Sequence, residues 1–408
     1  MKKRDLYLSR LAALKDKSPI KFITGVRRCG KSSLLDLYEE YLLSTGVKTE
    51  AILRMNFESL DFDDIRDYRQ LNEYITERIS NEKKTYILLD EVQTVREWER
   101  AVNSLRLNTK LDIYITGSNG HLLSSELSTL LAGRYIEIHM LPLSFREFLD
   151  FNDYDMDDGL KDYFDLYLEI GSLPGLTELR DQKTAIRPYI NGIYNTIIMK
   201  DIVQRNEIRD YALLENVVRF MAGNIGNHVS SKKISDYLTS SGRKTSSETV
   251  DNYLHMLQNA YVLYRVGRYD LKGKQTLKTQ GKYYFVDTGI RGELVGKRGQ
   301  DYGSLLENIV YFELLRRGFS VKTGAISGQE VDFVAYKPDK TAYYQVTATM
   351  LAEETREREL RALRAIPDNY EKTVLSMDKT PLTDYNGIKN VYLPEWLAGG
   401  SEIVDSDQ

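Results

Sequence analysis

One short stretch of the chain has residue types and a spacing that could bind a phosphate. Gly25 and Gly30 frame four residues and are followed by Lys31 and Ser32, in the pattern G-x-x-x-x-G-K-S. Backbone N–H groups in such a loop surround an anion, and the following helix directs the positive end of its dipole at it. Lys31 would contact the β- and γ-phosphates of ATP, and the Ser32 hydroxyl would bind Mg²⁺. The predicted nucleotide site is Gly25, Val26, Arg27, Arg28, Cys29, Gly30, Lys31, Ser32 and Ser33.

The residues around this loop predict a strand, the loop and a helix, in that order. Ile20–Ile23 is an apolar run typical of a buried strand, and Leu34–Tyr38 has the apolar spacing of a helix. The alternative is a glycine turn before an ordinary helix. A second motif further along the chain makes that alternative the weaker interpretation.

The second motif is Tyr86–Glu91, an apolar strand that ends in two carboxylates. Asp90 would complete the Mg²⁺ shell, and Glu91 would orient and deprotonate the attacking water. Paired acids could instead begin a helix, where negative charge is favoured. Together with the glycine loop, the pair favours the catalytic interpretation.

Two further polar segments could complete a catalytic site. Leu111–Asn119 reads as a strand that closes in small polar residues, and Ser118 or Asn119 would contact the γ-phosphate or the attacking water. A polar turn at the end of the strand is the alternative. Arg134 lies between a polar helical stretch and a strand, where it could neutralise charge in the transition state or form a surface salt bridge.

Strands alternate with helices through the first part of the chain. A lead-in helix is predicted over residues 5–17, a strand over Ala51–Phe57, and helices near residues 68–79 and 98–105. This alternation predicts an α/β fold with a P-loop NTPase parallel sheet and with ligands at the carboxyl ends of its strands. We assign residues 1–150 to this ATPase core and residues 151–222, which have helical patterns, to a helical lid.

Residues 223–281 have the pattern of a winged helix-turn-helix domain, in which two short amphipathic helices are joined by a small-residue turn and followed by a strand. Between residues 228 and 298 there are thirteen Lys or Arg and six Asp or Glu. This local excess of positive charge favours DNA contact through residues 228–298. The alternative is a unit that packs against its neighbours or relays motion.

Residues 282–408 predict a restriction-endonuclease-like α/β domain. Glu307 on a predicted helix and Asp332 on a predicted strand match two metal-binding acids of the PD-(D/E)xK nuclease core. Gln345 and Thr347 stand where that core has a further acid and a lysine. Because a ligand charge and an ammonium are missing, we expect a degenerate domain with weak or no nuclease activity.

Length and composition limit the class of protein. With 408 residues and a net charge of -4, the chain is long enough for several domains and has no global attraction to nucleic acid. No apolar run is long enough to span a bilayer, and Met1–Asp5 is not followed by an apolar signal core. Cys29 is the single cysteine and cannot form an internal disulfide. These features predict a cytoplasmic protein.

Taken together, the motifs resemble those of the bacterial and archaeal AAA-like ATPases that carry a C-terminal domain of unknown function, and those of STAND-type nucleotide switches. The resemblance covers nearly the whole chain. Besides the glycine loop, it rests on Asp90–Gln93, Thr116–Ser118, Gly133–Tyr135, Pro142–Phe148 and Glu330–Phe333. It implies ATP binding and hydrolysis, and a nucleotide-sensing role for Arg134.

The sequence thus predicts an Mg²⁺-dependent ATPase whose nucleotide state controls the relative placement of its winged-helix and tail domains. One alternative is a DNA-processing ATPase with a nuclease-like or DNA-binding C-terminal domain. Another is a scaffold that binds ATP without hydrolysing it. The expected partners are ATP and ADP, while DNA, a protein client and a second copy of the chain are left open. A membrane partner is not expected.

Overall fold

A computed structural model describes residues 2–79, 83–118, 131, 133–156, 159–273, 275–296, 302–379 and 384–399. The chain forms two compact units. Unit 1 comprises Met1–Leu141 and Asn259–Tyr261, and unit 2 comprises Pro142–Gln258 and Val262–Gln408. Within the ranges just given, no helix is long and apolar enough to cross a bilayer.

Unit 1 is built on a parallel sheet. Its strands are β1 (Ile20–Thr24), β2 (Ile52–Asn56), β3 (Thr85–Asp90), β4 (Leu111–Gly117) and β5 (Tyr135–His139). Their order is β2-β3-β4-β1-β5, and every neighbouring pair is parallel. All residues of β1, β3 and β4 are buried, as expected for strands covered on both faces. The predicted α/β fold with a P-loop-type parallel sheet is confirmed.

The helices of unit 1 follow the predicted order, with one difference in length. They are α1 (Asp5–Ala13), α2 (Lys31–Ser44), α3 (Tyr68–Arg78) and α4 (Trp98–Leu105). Helix α1 ends before residue 17 because Asp16 has a φ of 63°, which a right-handed helix does not allow. Buried side chains of α3 and α4, among them Leu71, Ile75 and Trp98, pack with Phe22 of β1 in one hydrophobic cluster.

A polar network lies inside unit 1 at the amino-terminal side of the sheet. The side chains of Lys21 on β1 and Asp112 on β4 are fully buried, and the Lys21 ammonium donates to one carboxylate oxygen of Asp112. The other oxygen accepts the backbone N–H of Asp16 at 2.7 Å and the Tyr114 hydroxyl at 2.9 Å. The Asp112 carboxylate is therefore paired and hydrogen-bonded, which offsets the cost of its burial.

Unit 2 begins with helices and continues in a second sheet. The helices in its amino-terminal part are α5 (Phe145–Asn152), α6 (Leu160–Ile170), α7 (Lys183–Thr196) and α8 (Tyr211–Ala222), and Ile197–Gln204 continues α7 as a π-helix. Helix α5 starts with a capping box, in which the Ser144 hydroxyl accepts the Glu147 N–H and the Glu147 carboxylate accepts the Ser144 N–H.

The second sheet has the strand order β13-β12-β11-β10-β9-β7-β8-β6. The strands are β6 (His228–Val229), β7 (Leu263–Asp270), β8 (Gln275–Phe285), β9 (Ser320–Ile326), β10 (Gln329–Lys337), β11 (Lys340–Thr347), β12 (Glu371–Ser376) and β13 (Ile388–Tyr392). The helices between and after them are α9 (Ser231–Ser240), α10 (Ser247–Asn259), α11 (Thr288–Val295), α12 (Tyr302–Arg316), α13 (Glu353–Arg364) and α14 (Leu393–Ala398).

This sheet differs from the sequence prediction because it is continuous across the expected border between residues 281 and 282. That border falls inside β8, and β7 pairs with β9 in parallel through Arg268–Thr323, Tyr269–Gly324 and Asp270–Ala325. Without β9, one edge of β7 would leave its backbone groups unpaired. The strands of residues 223–281 and those of residues 282–408 therefore share one hydrogen-bonded sheet.

Candidate nucleotide site

The predicted phosphate loop connects β1 to α2, which begins at Lys31. Gly25 has a φ of 146°, and a Cβ at this position would lie 2.2 Å from the carbonyl oxygen of Met140. Gly30 has a φ of 101°, which also favours glycine. The tight course of the loop thus depends on the two glycines of the motif.

The side chain of Lys31 contacts the backbone of the loop that precedes it. Its side chain is buried, and its Nζ donates to the carbonyl oxygens of Gly25 and Val26, at 3.1 Å each. The same Nζ lies 3.9 Å from Oε1 of Glu91. The structure therefore brings the lysine of the first motif next to an acid of the second motif.

Asp90 and Glu91 are positioned by the neighbouring strand β4. Asp90 is fully buried at the end of β3, where one carboxylate oxygen accepts the Thr116 hydroxyl and the other accepts Nη2 of Arg54 at 3.2 Å. Glu91 has a φ of 53°, and its N–H donates to Oγ1 of Thr116 at 3.0 Å. Thr116 fixes the positions of the two acids relative to each other because it forms a hydrogen bond with each of them.

Ser118 also reaches this site. Its hydroxyl donates to Oε2 of Glu91 at 3.4 Å, and the side-chain amide of Gln93 donates to the same oxygen. The structure thus joins Ser118 to Glu91, whereas the contact predicted for Ser118, with the γ-phosphate or the attacking water, stays a prediction. Asn119, the other candidate, lies outside the described residues.

The residues predicted to bind Mg²⁺ have suitable donor chemistry. Ser32 is exposed in the first turn of α2, and Asp90 is the last residue of β3, which β4 separates from β1. Hydroxyl and carboxylate oxygens are ligands that Mg²⁺ takes, usually together with phosphate oxygens and water. Ser32 and Asp90 therefore carry oxygen donors of the kind this ion takes, and the Asp90 oxygens would have to bind it in addition to, or in place of, Thr116 and Arg54.

Arg134 is not brought to the loop, and this corrects the expectation drawn from the sequence. It precedes β5, whose first residue Tyr135 pairs with Ile20 at the start of β1, and its carbonyl oxygen accepts the Ile20 N–H at 2.9 Å. The loop follows the other end of β1, about 16 Å away at the usual rise of a strand. Nη1 of Arg134 donates instead to Oδ1 of Asn103 at 3.1 Å. Arg134 therefore cannot contact a γ-phosphate held by its own chain.

Arg4 is a residue at the loop that the sequence did not single out. It is buried, and its Nη1 donates to the carbonyl oxygens of Cys29 at 3.0 Å and Leu141 at 2.8 Å. It therefore ties the segment before α1 to the phosphate loop. A basic residue just before a helix is too common to have been noticed in the sequence.

A second missed group lies where β1 and β5 end. His139 Nδ1 is 3.0 Å from Oγ1 of Thr24, the residue before the loop, and the His139 ring packs on Tyr261 with centroids 4.6 Å apart. Burial and the charge of Lys31 lower the pKa of His139 to about 4, so the imidazole is neutral at pH 7. Glu137 faces the same way, since its Oε1 accepts the Thr24 hydroxyl. The sequence signal for this group is the spacing of Glu137 and His139, because residues two apart on a strand lie on the same face.

Two family models match the chain. An AAA domain matches residues 17–149, and a domain of unknown function, DUF8612, matches residues 161–301. The first match contains the loop and all the residues that the structure gathers around Lys31, apart from Arg4 and Tyr261.

Proteins similar to this chain include relatives that it matches over most of their length, and a solved ATPase structure. An uncharacterized protein of Haemophilus influenzae is 41% identical over 396 residues, covering 97% of this chain and 98% of that protein. Uncharacterized protein MJ1544 of Methanocaldococcus jannaschii is 30% identical, covering 86% and 79%. A Walker-type ATPase of Pyrococcus abyssi has the same fold, with a TM-score of 0.52, 14% identity and coverage of 72% and 96%. The chain therefore belongs to the family of these relatives, an AAA-like P-loop family in which an AAA domain precedes a domain of unknown function.

Proposed function

We propose that this chain binds ATP with Mg²⁺ and hydrolyses it. The observation that carries the proposal is the meeting of Lys31 and Glu91, 3.9 Å apart, at the carboxyl edge of the parallel sheet. In open α/β sheets, ligands bind at this edge. A phosphate-binding lysine next to a buried acid is the arrangement that phosphoryl transfer to water requires.

Each residue of the site has a role in this proposal. The backbone N–H groups of residues 25–33 and the Lys31 ammonium hold the phosphates, and Ser32 and Asp90 hold Mg²⁺. The bound ion would neutralise charge on the phosphate oxygens. Glu91 orients the attacking water and takes up its proton, while Ser118 fixes the Glu91 carboxylate by the hydrogen bond described above.

Two substitutions separate binding from hydrolysis. Lys31→Ala should abolish the binding of a fluorescent ATP analogue. Glu91→Gln keeps the shape of the site and should retain ATP affinity, while phosphate release slows by about 10²–10⁴-fold because the base is lost.

The exposed residues Lys48 and Glu50 provide matched controls, since Lys48→Ala and Glu50→Gln make the same changes away from the loop. Unchanged binding by Lys31→Ala would refute the nucleotide site. Wild-type turnover by Glu91→Gln would refute the role of Glu91. Binding without any phosphate release by the wild-type chain would leave the non-hydrolysing scaffold as the function.

We further propose that the nucleotide state controls the conformation of unit 2 through Tyr261. Residues Asn259–Tyr261 belong to unit 1, while the residues on both sides of them belong to unit 2. Tyr261 has a φ of 56° and packs on His139, which contacts Thr24 next to the loop. Because β7 and β9 are paired, the helix-turn-helix strands and the tail sheet would respond together. This replaces the expectation that they move relative to each other.

Hydrogen exchange tests this coupling. ATP should change the exchange rates of α9 and α10 in the wild-type chain, and Tyr261→Ala should reduce that change. Tyr237→Ala, at an exposed tyrosine of α9, is the control. An equal response to ATP in the wild type and in Tyr261→Ala would contradict the proposal.

The exposed residues of α10 argue against DNA binding by this helix. In a winged helix-turn-helix, α10 would be the helix that enters the groove. It contains no Lys or Arg, and it exposes Glu248 and Asp251, which would repel phosphates. We therefore favour a relay of motion over DNA reading, and expect the ATPase rate to be unchanged by added duplex DNA.

A further inference from the structure

A charged cluster in unit 2 surrounds the side chain of Lys282 on β8. Its Nζ lies 2.6 Å from Glu330 Oε1, 2.8 Å from Glu307 Oε2 and 3.7 Å from Asp332 Oδ1. Only 5% of the lysine side chain is exposed. Helix α12 supplies Glu307, while β10 supplies Glu330 and Asp332. Three carboxylates from two elements thus converge on one ammonium.

The resemblance to the PD-(D/E)xK core implies that Glu307 and Asp332 hold Mg²⁺, but the residues present do not fit this ion. In the part of the chain that the structure describes, no group of three or more His, Cys, Asp or Glu side chains could hold a metal. Asp332 is engaged on both oxygens, since Oδ2 accepts the Val346 N–H at 2.8 Å and Oδ1 faces Lys282. The ammonium stands where a metal would have to bind.

Gln345, which replaces an acid of that core, is also fully engaged. Its Nε2 donates to Glu359 Oε2 at 2.9 Å, and its Oε1 accepts the Asp332 N–H at 3.3 Å. Glu359 accepts Arg358 on its other oxygen at 2.7 Å. The polar groups on this side of the cluster are therefore hydrogen-bonded to one another.

The side chain of Lys282 is positively charged. Its ammonium lies within 2.8 Å of carboxylate oxygens of both Glu307 and Glu330, and these opposite charges favour the protonated form. The cluster therefore contains a permanent cation at neutral pH.

We propose that Lys282 is a built-in replacement for a divalent metal, so that this domain binds no metal at the cluster and does not cleave nucleic acid. A lack of access from solvent does not explain why a metal ion is excluded. A cavity of about 590 Å³ is lined by Glu307, Glu330 and Asp332, and an ion from solvent could reach them. The ammonium excludes a metal because it neutralises the same oxygens and repels a second cation.

Calcium titration by calorimetry, in the absence of nucleotide, tests the proposal on the full chain. Ca²⁺ suits the cluster because its bonds to oxygen are about 2.3–2.6 Å long and its geometry is flexible. The wild-type chain should give no binding isotherm. Lys282→Met, which keeps the length of the side chain and removes the charge, should bind Ca²⁺, and adding Asp332→Asn should abolish that binding. Lys372→Met is the control, because Lys372 donates to the carbonyl oxygens of Ile366 and Asp368.

Two results would overturn the proposal. One is Ca²⁺ binding by the wild type that Asp332→Asn removes, because Lys282 would then coexist with a metal. The other is a folded Lys282→Met chain that binds no Ca²⁺. If Lys282→Met is unfolded in buffer, excess Ca²⁺ should restore its circular dichroism spectrum, since metal binding then supplies folding free energy. Failure to do so would also count against the proposal.

Discussion

Replacing Gly25 with alanine should destabilise unit 1 and weaken ATP binding. The φ of 146° costs an L-residue about 1–3 kcal/mol. The new Cβ would also lie 2.2 Å from the carbonyl oxygen of Met140, whereas ordinary contacts begin at 3.4 Å. The end of β5 must therefore move by more than 1 Å, a form of overpacking that costs about 1–3 kcal/mol. The total of about 2–6 kcal/mol is a large part of the 5–15 kcal/mol that usually stabilises a domain.

Gly46→Ala is the matched control for this prediction. Gly46 also has a positive φ, 89°, but a Cβ there meets no atom within 4 Å. Urea denaturation of both variants separates the contact with Met140 from the cost of the backbone angle. ATP affinity should fall only in Gly25→Ala, because the Gly25 carbonyl oxygen accepts the Lys31 ammonium. Equal losses of stability in the two variants, or full ATP affinity in Gly25→Ala, would refute this reasoning.

Three further predictions follow from the contacts described above. Lys21→Met should lower the free energy of unfolding by about 3–5 kcal/mol, because Asp112 stays buried without its ammonium partner; thermal denaturation should show partial recovery when Asp112→Asn is added. Burial alone would raise the pKa of Glu330, but the hydrogen bond from His228 helps to lower it to about 2 from its ordinary value of 4.5. This carboxylate therefore stabilises the fold above pH 4.5 and loses that contribution as the pH falls towards 2, so urea titrations of Glu330→Gln should show a shallower loss of stability over this interval. Arg134→Ala should leave ATP affinity unchanged because the side chain lies at the amino edge of the sheet, and a drop in affinity would show that it reaches the nucleotide.

The phosphate loop and the two acids could be predicted because their chemistry is local. In each case a strand, a turn and a few polar side chains are contiguous in the sequence. A parallel sheet then brings the carboxyl ends of its strands to one edge, which places Lys31 and Glu91 together without further information.

The same rule would have excluded Arg134. A residue just before a parallel strand lies at the amino edge of the sheet, while the loop lies at the carboxyl edge. Whether a motif precedes or follows its strand therefore determines which edge of the sheet it reaches, whatever its composition.

The cluster around Lys282 could not be assembled from the sequence because it depends on pairing between distant strands. Local pattern shows only a lysine in the aromatic segment Lys282–Phe285, which is a weak sign of a buried charge. Placing it beside Glu307 and Asp332 needs the order β10-β9-β7-β8, and nothing in any of these strands specifies that order.

The pairing of β7 with β9 determines how the protein can be dissected. A fragment that stops at residue 281 would cut β8 short and leave one side of β7 unpaired, a template on which other chains assemble. We expect such a fragment to aggregate when it is expressed, even if its helices form. Fragments for binding studies or crystallisation should instead keep residues 142–399 in one piece, because unit 2 begins at Pro142.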